Sequence, residues 1–253
     1  MRNILLRLAF DGTDYAGWQR QNDQPTIQAE VEDKLTVMTN YPVDLHGVGR
    51  TDSGVHALAM TASFETSSTI PCEAFLRGLN SMLPEAIRIM AVEEREPGFH
   101  ARKNASGKTY CYQLLVGGIC LPTERLYHYH LKNNLLIEPM RECLAALHGE
   151  HDFACFEATG SRDQNYTGGR GAVRTIVKAD LIIGAGLPLP IRIEIGGDGF
   201  LRHMVRNIVG TLLEVGSGRM SVAEFRAVLV GKDRTAAGPT APARGLFLKE
   251  VFY

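Results

Sequence analysis

Apolar residues recur with two different periods along this chain, and the two periods alternate in a fixed order. Spacing of two residues indicates strands, and spacing of three to four indicates helices. In the first half, strand character falls at 3–10, 42–48, 56–66 and 86–95, and helical spacing falls at 25–40 and 72–83. This β-α-β-β-α-β order is the ferredoxin-like pattern. It therefore predicts an α/β (α+β) fold with an antiparallel sheet.

The second half repeats this order with longer connections. Strands are expected at 108–116, 172–183, 190–197 and 245–253, and helices at 137–149, 198–218 and 221–231. Asp198 is a candidate cap of the long helix, and Gly216 and Gly218 are suited to its end. We therefore expect two related ferredoxin/RRM-like halves, 1–105 and 106–253, with antiparallel sheets that form a central cleft. Such a cleft would suit a folded RNA.

Composition places the chain among cytoplasmic globular proteins rather than membrane or secreted ones. Its 253 residues are 45% hydrophobic, and no apolar run reaches membrane-spanning length. The first residues have no signal-peptide pattern, and the five cysteines contain no CxxC motif. Net charge is −1, but residues 106–253 hold 17 Lys and Arg against 14 Asp and Glu. A polyanion would therefore bind mainly to the second half.

A short glycine-rich stretch, "GVGRTDSGVHA" at 47–57, carries the candidate reactive group. Glycines permit close approach of another molecule, and Asp52 lies between them. Asp-Ser-Gly is also ordinary turn chemistry, which is the alternative interpretation. Arg50 and Asp52 are two apart, so in an extended segment both side chains point the same way. A guanidinium nearby keeps a carboxylate ionised, as a base or nucleophile requires.

Two further segments present polar groups in apolar surroundings. In "FLRHMVRNIVG", Arg202 and Arg206 are four apart and would lie one above the other on a helix. One interpretation is that both arginines form a solvated basic stripe. The other is that Arg206 points into a pocket and binds an acid or a phosphate. Tyr110 and Tyr112 share one strand face. They are either buried core residues or, if that face lines a cleft, aromatic rings on which a nucleotide base can stack.

Common signatures of metal and nucleotide sites are missing. The sequence has no GxxxxGK[ST], and "GVGRTD" breaks GxGxxG at its last glycine. The histidine pairs "HYH" at 128–130 and "HGEH" at 148–151 lack a convincing third ligand. We therefore predict no metal and no nucleotide cofactor.

Five stretches together resemble the tRNA pseudouridine synthase A (TruA) family, in order and over nearly the whole chain. They are "FDGTDYAGWQRQ", "GVGRTDSGVHA", "GFHARKNASGKTYCYQL", "GDGFLRHMVRNIVGTLLEVGSGR" and "APARGLFLKEVFY". The resemblance implies that Asp52 is the catalytic aspartate and that Arg50 helps to displace and hold the target nucleotide. It also implies that Tyr110 stacks on the target uracil and that Arg206 pairs with the catalytic aspartate.

The resemblance further implies a pseudouridine synthase fold and an isomerase that converts uridine to pseudouridine. The expected nucleotides are 38, 39 and 40, in the anticodon arm of tRNA. Family members use no cofactor or metal and act as homodimers. The glycine-rich stretch 157–174 is expected to be a mobile, RNA-contacting loop. Arg202 stands where the family more often has an aromatic residue, so its role stays open.

Two other classes of function fit parts of the sequence. A non-catalytic RNA-binding protein with two RRM-like halves would carry an RNP1-like aromatic strand, and none is present. An aspartate-based glycoside hydrolase would need two carboxylates that flank the bond, and the glycine-rich stretch offers one beside an arginine. Incubation with unmodified tRNA separates the three, because only the isomerase yields a product of unchanged mass with an altered base linkage.

Overall fold

A computed structural model describes residues 1–161 and 169–253 of the protein. The chain divides into two compact units. Unit 1 contains Met1–Ser106 together with Phe247–Tyr253, and unit 2 contains Gly107–Leu246. The strand nearest the C-terminus, which the sequence analysis placed in the second half, thus belongs mainly to the first unit.

Unit 1 is a sheet with two helices. Its elements are β1 (Arg2–Phe10), α1 (Ile27–Thr39), β2 (His46–Gly47), β3 (His56–Thr66), α2 (Cys72–Met82), β4 (Ile87–Arg95) and the last strand, β10 (Leu246–Phe252). The strand order is β4-β1-β3-β10, with β2 also paired to β3. β1 is antiparallel to both neighbours, whereas β10 runs parallel to β3. The six predicted elements of this half are therefore confirmed in type and order.

The helix α1 forms because its apolar residues make one stripe. Ile27, Val31 and Leu35 are fully buried, and the Thr26 side chain caps the helix by accepting from the Ala29 N–H. Helix α2 likewise buries Phe75 and Leu79. These two stripes cover one face of the unit 1 sheet with hydrocarbon.

The predicted polar face of β3 is also buried. Thr61 and Ser63 are at most 5% exposed. The Ser63 hydroxyl accepts from the Ala101 N–H at 2.9 Å, and the Thr61 hydroxyl lies 2.7 Å from that of Tyr253. Hydrogen bonds therefore satisfy these buried hydroxyls.

Unit 2 contributes further strands and, within the described residues, three α-helices. Its elements are β5 (Gly107–Val116), β6 (Tyr129–Leu131), α3 (Ile137–Ala146), β7 (Gly149–Asp152), β8 (Val173–Ile183), β9 (Leu189–Gly197), α4 (Met204–Gly216) and α5 (Val222–Gly231). The strand order is β5-β9-β8-β7, all antiparallel, with β6 parallel to β5. The mixed α/β class is confirmed, while the short strands β6 and β7 were not predicted.

None of the helices in the described ranges has the length and apolar character needed to span a bilayer.

The long helix begins six residues later than the sequence predicts. Its N-cap is His203, whose φ of 62° lies in the left-handed region, and α4 starts at Met204. Asp198 is not a cap: its side chain accepts from the Thr175 N–H at 3.1 Å and forms an ion pair with Arg170. The prediction was wrong because β9 and β8 use this carboxylate at their ends.

Of the expected RNA-contacting loop at 157–174, residues 162–168 lie outside the described ranges.

Candidate active site

The glycine-rich stretch of unit 1 forms a loop between β2 and β3 that ends in a turn. The Val55 N–H donates to the Asp52 carbonyl at 3.2 Å, so Asp52 opens a four-residue turn. Gly54, the third residue of this turn, has a φ of +73°, which L-residues rarely adopt. The turn interpretation is thus correct for the backbone. The Asp52 side chain is partly exposed, so a turn and a presented carboxylate occur together.

A second loop of unit 1, residues 11–18, holds this turn from one side. The Trp18 N–H donates to the Thr51 carbonyl at 3.2 Å, and the Gly54 N–H donates to the Tyr15 carbonyl at 3.3 Å. Gly17, with a φ of +97°, lies so close that a methyl group there would overlap the Thr51 carbonyl oxygen. These contacts therefore fix the backbone both before and after Asp52 in the chain. The sequence analysis named this region only within the stretch "FDGTDYAGWQRQ" of the resemblance and missed this role.

A buried histidine completes the contact between the two loops. The His56 side chain is 1% exposed, and its Nδ1 lies 3.1 Å from both the Gly12 N and the Asp11 Oδ1. The ring stacks on Phe247 with 4.6 Å between centroids. Gly12 is tightly packed too, since a methyl there would overlap the Val55 carbonyl oxygen. His56 is a positioning residue that the sequence analysis did not single out, although it lies inside the glycine-rich motif.

Arg50 is exposed and lines a cavity of about 450 Å³ within unit 1. The polar and aromatic side chains around this cavity include those of Trp18, His46, His100, Arg102 and Lys103. Asp52 is not among the described residues that line this cavity, so the expectation that Arg50 and Asp52 point the same way stays a prediction. The cavity beside Arg50 was not anticipated.

The two predicted tyrosines lie on β5 of unit 2. Tyr112 is fully buried, and its hydroxyl donates to the Pro242 carbonyl at 2.8 Å. Burial raises the pKa of Tyr112 well above its usual value, so the hydroxyl stays protonated. Tyr110 is 9% exposed and meets the Phe200 ring edge to face at 5.0 Å. The core interpretation therefore holds for Tyr112, and base stacking by Tyr110 stays a prediction.

Arg206 lies on α4 of unit 2 and is half-buried. Its Nε donates to the Ala241 carbonyl at 2.8 Å, and its own carbonyl accepts from the Ala241 N–H at 3.1 Å. A solvated basic stripe does not describe this arrangement. Arg202 lies in the turn before α4 and is exposed, so the predicted stacking of Arg202 on Arg206 along a helix was wrong. The reason is the late start of the helix at Met204.

A buried polar network supports the segment 237–242, to which Arg206 is bonded. Asn207 is fully buried, and its Oδ1 accepts from Arg234 at 3.1 Å and from the Thr240 hydroxyl at 2.7 Å. Arg234 also donates to the Gly238 carbonyl at 3.0 Å. These bonds fix the backbone that accepts from Arg206. The sequence signal was Asn207 on an otherwise apolar helix face, which we did not single out.

No three His, Cys, Asp or Glu side chains converge as a metal site in residues 1–161 and 169–253. The histidine pairs bond to backbone instead. His130 Nε2 lies 2.9 Å from the Gly117 carbonyl oxygen, and His151 Nε2 lies 3.0 Å from that of His148.

The chain is similar to known proteins over its full length. A family model described as tRNA pseudouridine synthase matches residues 8–102 and 144–253. A relative from Desulfotalea psychrophila, named tRNA pseudouridine synthase A 1, is 51% identical over 263 aligned residues and covers 100% of both chains. One from Clostridium tetani, named tRNA pseudouridine synthase A 2, is 44% identical and covers 100% of this chain and 99% of its own. One from Acetivibrio thermocellus, named tRNA pseudouridine synthase A, is 42% identical and covers 100% of both. The predicted resemblance is confirmed, and the chain belongs to the tRNA pseudouridine synthase family, a family of isomerases.

Proposed function

We propose that this protein isomerises uridine to pseudouridine at nucleotides 38, 39 and 40 of tRNA, with Asp52 as the reactive carboxylate and without a cofactor. Family membership supports the reaction and the tRNA substrate. The observation that carries the assignment of Asp52 is its loop. The Tyr15 carbonyl accepts from the Gly54 N–H and the Trp18 N–H donates to the Thr51 carbonyl, which fixes the turn, while the carboxylate itself is partly exposed.

The chemistry requires a reactive group rather than a redox centre. Pseudouridine formation breaks the N1–C1′ bond, turns the uracil and joins C5 to C1′, so substrate and product have the same atoms. A carboxylate nucleophile can add to the base or to the sugar and hold one fragment covalently. It can also act as a base on the ribose. Asp52 is assigned to this step, and its three possible roles share the requirement for an ionised carboxylate.

The other three predicted residues are assigned to substrate binding. A stacked uridine is out of reach, so the nucleotide must flip out at a cost of a few kcal/mol. We assign Arg50 to displacing and holding that nucleotide, because it is exposed and two residues from Asp52. Tyr110 is assigned to stacking on the uracil and Arg206 to an anionic partner. The hydrogen bond to the Ala241 carbonyl supports this assignment, because it fixes the Nε of Arg206 and so the position of the guanidinium group.

The decisive experiment compares Asp52→Asn with the wild type on unmodified tRNA. Single-turnover pseudouridine formation at nucleotides 38–40 should fall by more than about 10³-fold, as when a nucleophile is removed. Affinity for tRNA should stay within about twofold, because most affinity comes from phosphate contacts. Asp44→Asn is the matched control, since Asp44 is an exposed carboxylate of the same unit, and it should keep full activity.

Turnover near the wild-type rate in Asp52→Asn would overturn the assignment. Binding of tRNA without any product from the wild type would favour the non-catalytic RNA-binding alternative. Release of free uracil would favour the hydrolase. Mapping pseudouridines before and after treatment would also test the three nucleotides directly.

Two parts of the proposal concern the protein's setting: the homodimer comes from the family resemblance, and the location comes from composition. We propose a homodimer, to be tested by sedimentation equilibrium, and a monomer at micromolar concentration would contradict it. We also propose a cytoplasmic location, which agrees with five cysteines that are all free thiols. Cell fractionation would test this location, because the protein should be found in the same fraction as tRNA.

A further inference from the structure

The cavity beside Arg50 gathers cations that have no carboxylate partner. Arg50, Arg102 and Lys103 all line it and are exposed, and none of them forms an ion pair within the described ranges. Elsewhere in unit 1, Arg2 forms an ion pair with Glu94 and Arg20 with Asp33. Three like charges around one cavity repel each other unless an anion lies among them.

A tight turn holds two of these cations in place. The Lys103 N–H donates to the His100 carbonyl at 3.0 Å, and the Asn104 N–H donates to the same oxygen at 3.0 Å. The Asn104 side chain accepts from the His100 N–H at 2.8 Å, which closes the turn from the other end. The backbone that carries Arg102 and Lys103 is therefore ordered before any ligand arrives, which lowers the entropic cost of binding.

The histidines of the cavity are suited to donate one hydrogen bond rather than to stack on a base. His100 and His46 stack on each other, 4.8 Å apart and 15° from parallel. His100 Nδ1 accepts from the Arg102 N–H at 3.1 Å, so its Nε2 carries the proton. Burial, with His46, Lys103 and Arg102 nearby, lowers the pKa of His100, so the ring is neutral. Trp18 is only 3% exposed and offers no open face to a base.

We propose that this cavity binds a backbone phosphate of the substrate RNA, next to the nucleotide that Arg50 is assigned to displace. This inference rests on the proposed function. The volume of about 450 Å³ admits a phosphodiester with part of its ribose, and the charges suit an anion. Arg102 supplies a planar fork of donors, while Lys103 supplies a point charge.

The test is the salt dependence of tRNA binding for Arg102→Ala and Lys103→Ala. Each removed phosphate contact lowers the slope of log K against log salt by about 0.7–0.9 between about 50 and 200 mM salt. We expect this decrease in the Arg102→Ala protein and partial recovery of the slope in Arg102→Lys. Arg77→Ala is the matched control, because Arg77 is an exposed cation of α2 that does not line the cavity. Its slope should equal that of the wild type.

Unchanged slopes in both alanine variants would overturn the inference, and so would an equal decrease in the Arg77 control. A loss that depends on the RNA sequence rather than on salt would instead indicate binding of a base and also overturn it. Pseudouridine formation by the wild type is measured in parallel on the same tRNA. If the wild type forms none, the proposed function fails. If it forms pseudouridine while the slopes do not change, this inference fails alone.

Discussion

A single methyl group on α4 tests how the support of Arg206 is built. Gly210 lies in the interior of this helix, where alanine would ordinarily be more stable than glycine by about 1 kcal/mol. Here a methyl at Gly210 would overlap the Pro239 carbonyl oxygen and come within 2.9 Å of its carbon and 3.3 Å of the Ala241 nitrogen. All three are backbone atoms, so a side-chain rotation cannot relieve the clash. The segment 237–242 must move away from the helix.

The cost follows from the bonds that this movement breaks. The hydrogen bonds between the segment and α4 include four: Gly238 N–H to the Thr211 hydroxyl at 2.9 Å, the Thr240 hydroxyl to Asn207 Oδ1 at 2.7 Å, and two between Arg206 and Ala241 at 2.8 and 3.1 Å. Each contributes about 0.5–1.5 kcal/mol net. Loss of most of them exceeds the gain of about 1 kcal/mol in helix propensity. We therefore expect Gly210→Ala to lower the free energy of unfolding by about 1–3 kcal/mol, which is the usual range for overpacking.

Urea unfolding measures this effect, with Gly231→Ala as control. Gly231 ends α5, and a methyl there meets no atom of the described residues within 4 Å. Its free energy of unfolding should stay equal or rise by up to about 1 kcal/mol. Gly210→Ala should lower the urea midpoint at an unchanged m value. A midpoint at or above that of the wild type would show that the segment does not restrain the helix, and the proposed support of Arg206 would fail with it.

Three other substitutions or reagents test separate parts of the structure. Tyr110→Ala should lose about 1–3 kcal/mol of base stacking, measured by single-turnover kinetics on tRNA, whereas Tyr110→Phe keeps the ring. Wild-type kinetics for both variants would mean that Tyr110 is a core residue beside Phe200. In Gly17→Ala, an alanine must adopt a φ of +97°, and its methyl group would overlap the loop that carries Asp52. This should lower the free energy of unfolding by more than about 1 kcal/mol. An unchanged urea midpoint would contradict this prediction. Burial raises the pKa of the Cys155 thiol to about 12, so iodoacetamide near pH 8 should alkylate Cys120 in the native protein and spare Cys155. Equal labelling by peptide mass spectrometry would count against that burial.

Local patterns were enough to predict most of the elements. The stripe of Ile27, Val31 and Leu35 predicts α1, and all three are fully buried as a helix face requires. The motif around Asp52 offers a turn and a reactive carboxylate as alternative interpretations, and the backbone has the turn. These features depend on residues close in sequence, so spacing alone reveals them.

What sequence reasoning missed depends on contacts between distant segments. The start of α4 is set by the left-handed conformation of His203, which no spacing rule signals. The support of Asp52 comes from Trp18, more than thirty residues earlier in the chain. Thr61 is a buried polar residue of β3, and its partner Tyr253 is supplied by the far end of the described chain. Long-range pairing of this kind has no local period.

The return of β10 to unit 1 has a consequence for biosynthesis. Phe247 stacks on His56 and pairs with it in the sheet, yet it is translated only after the whole of Gly107–Leu246. At about 5–20 residues per second, a ribosome needs roughly ten to thirty seconds for that stretch. During this interval β3 lacks its parallel partner β10, and the loop that carries Asp52 lacks one of its supports. A nascent chain paused there would expose an open strand edge, which is the species that a chaperone would have to protect.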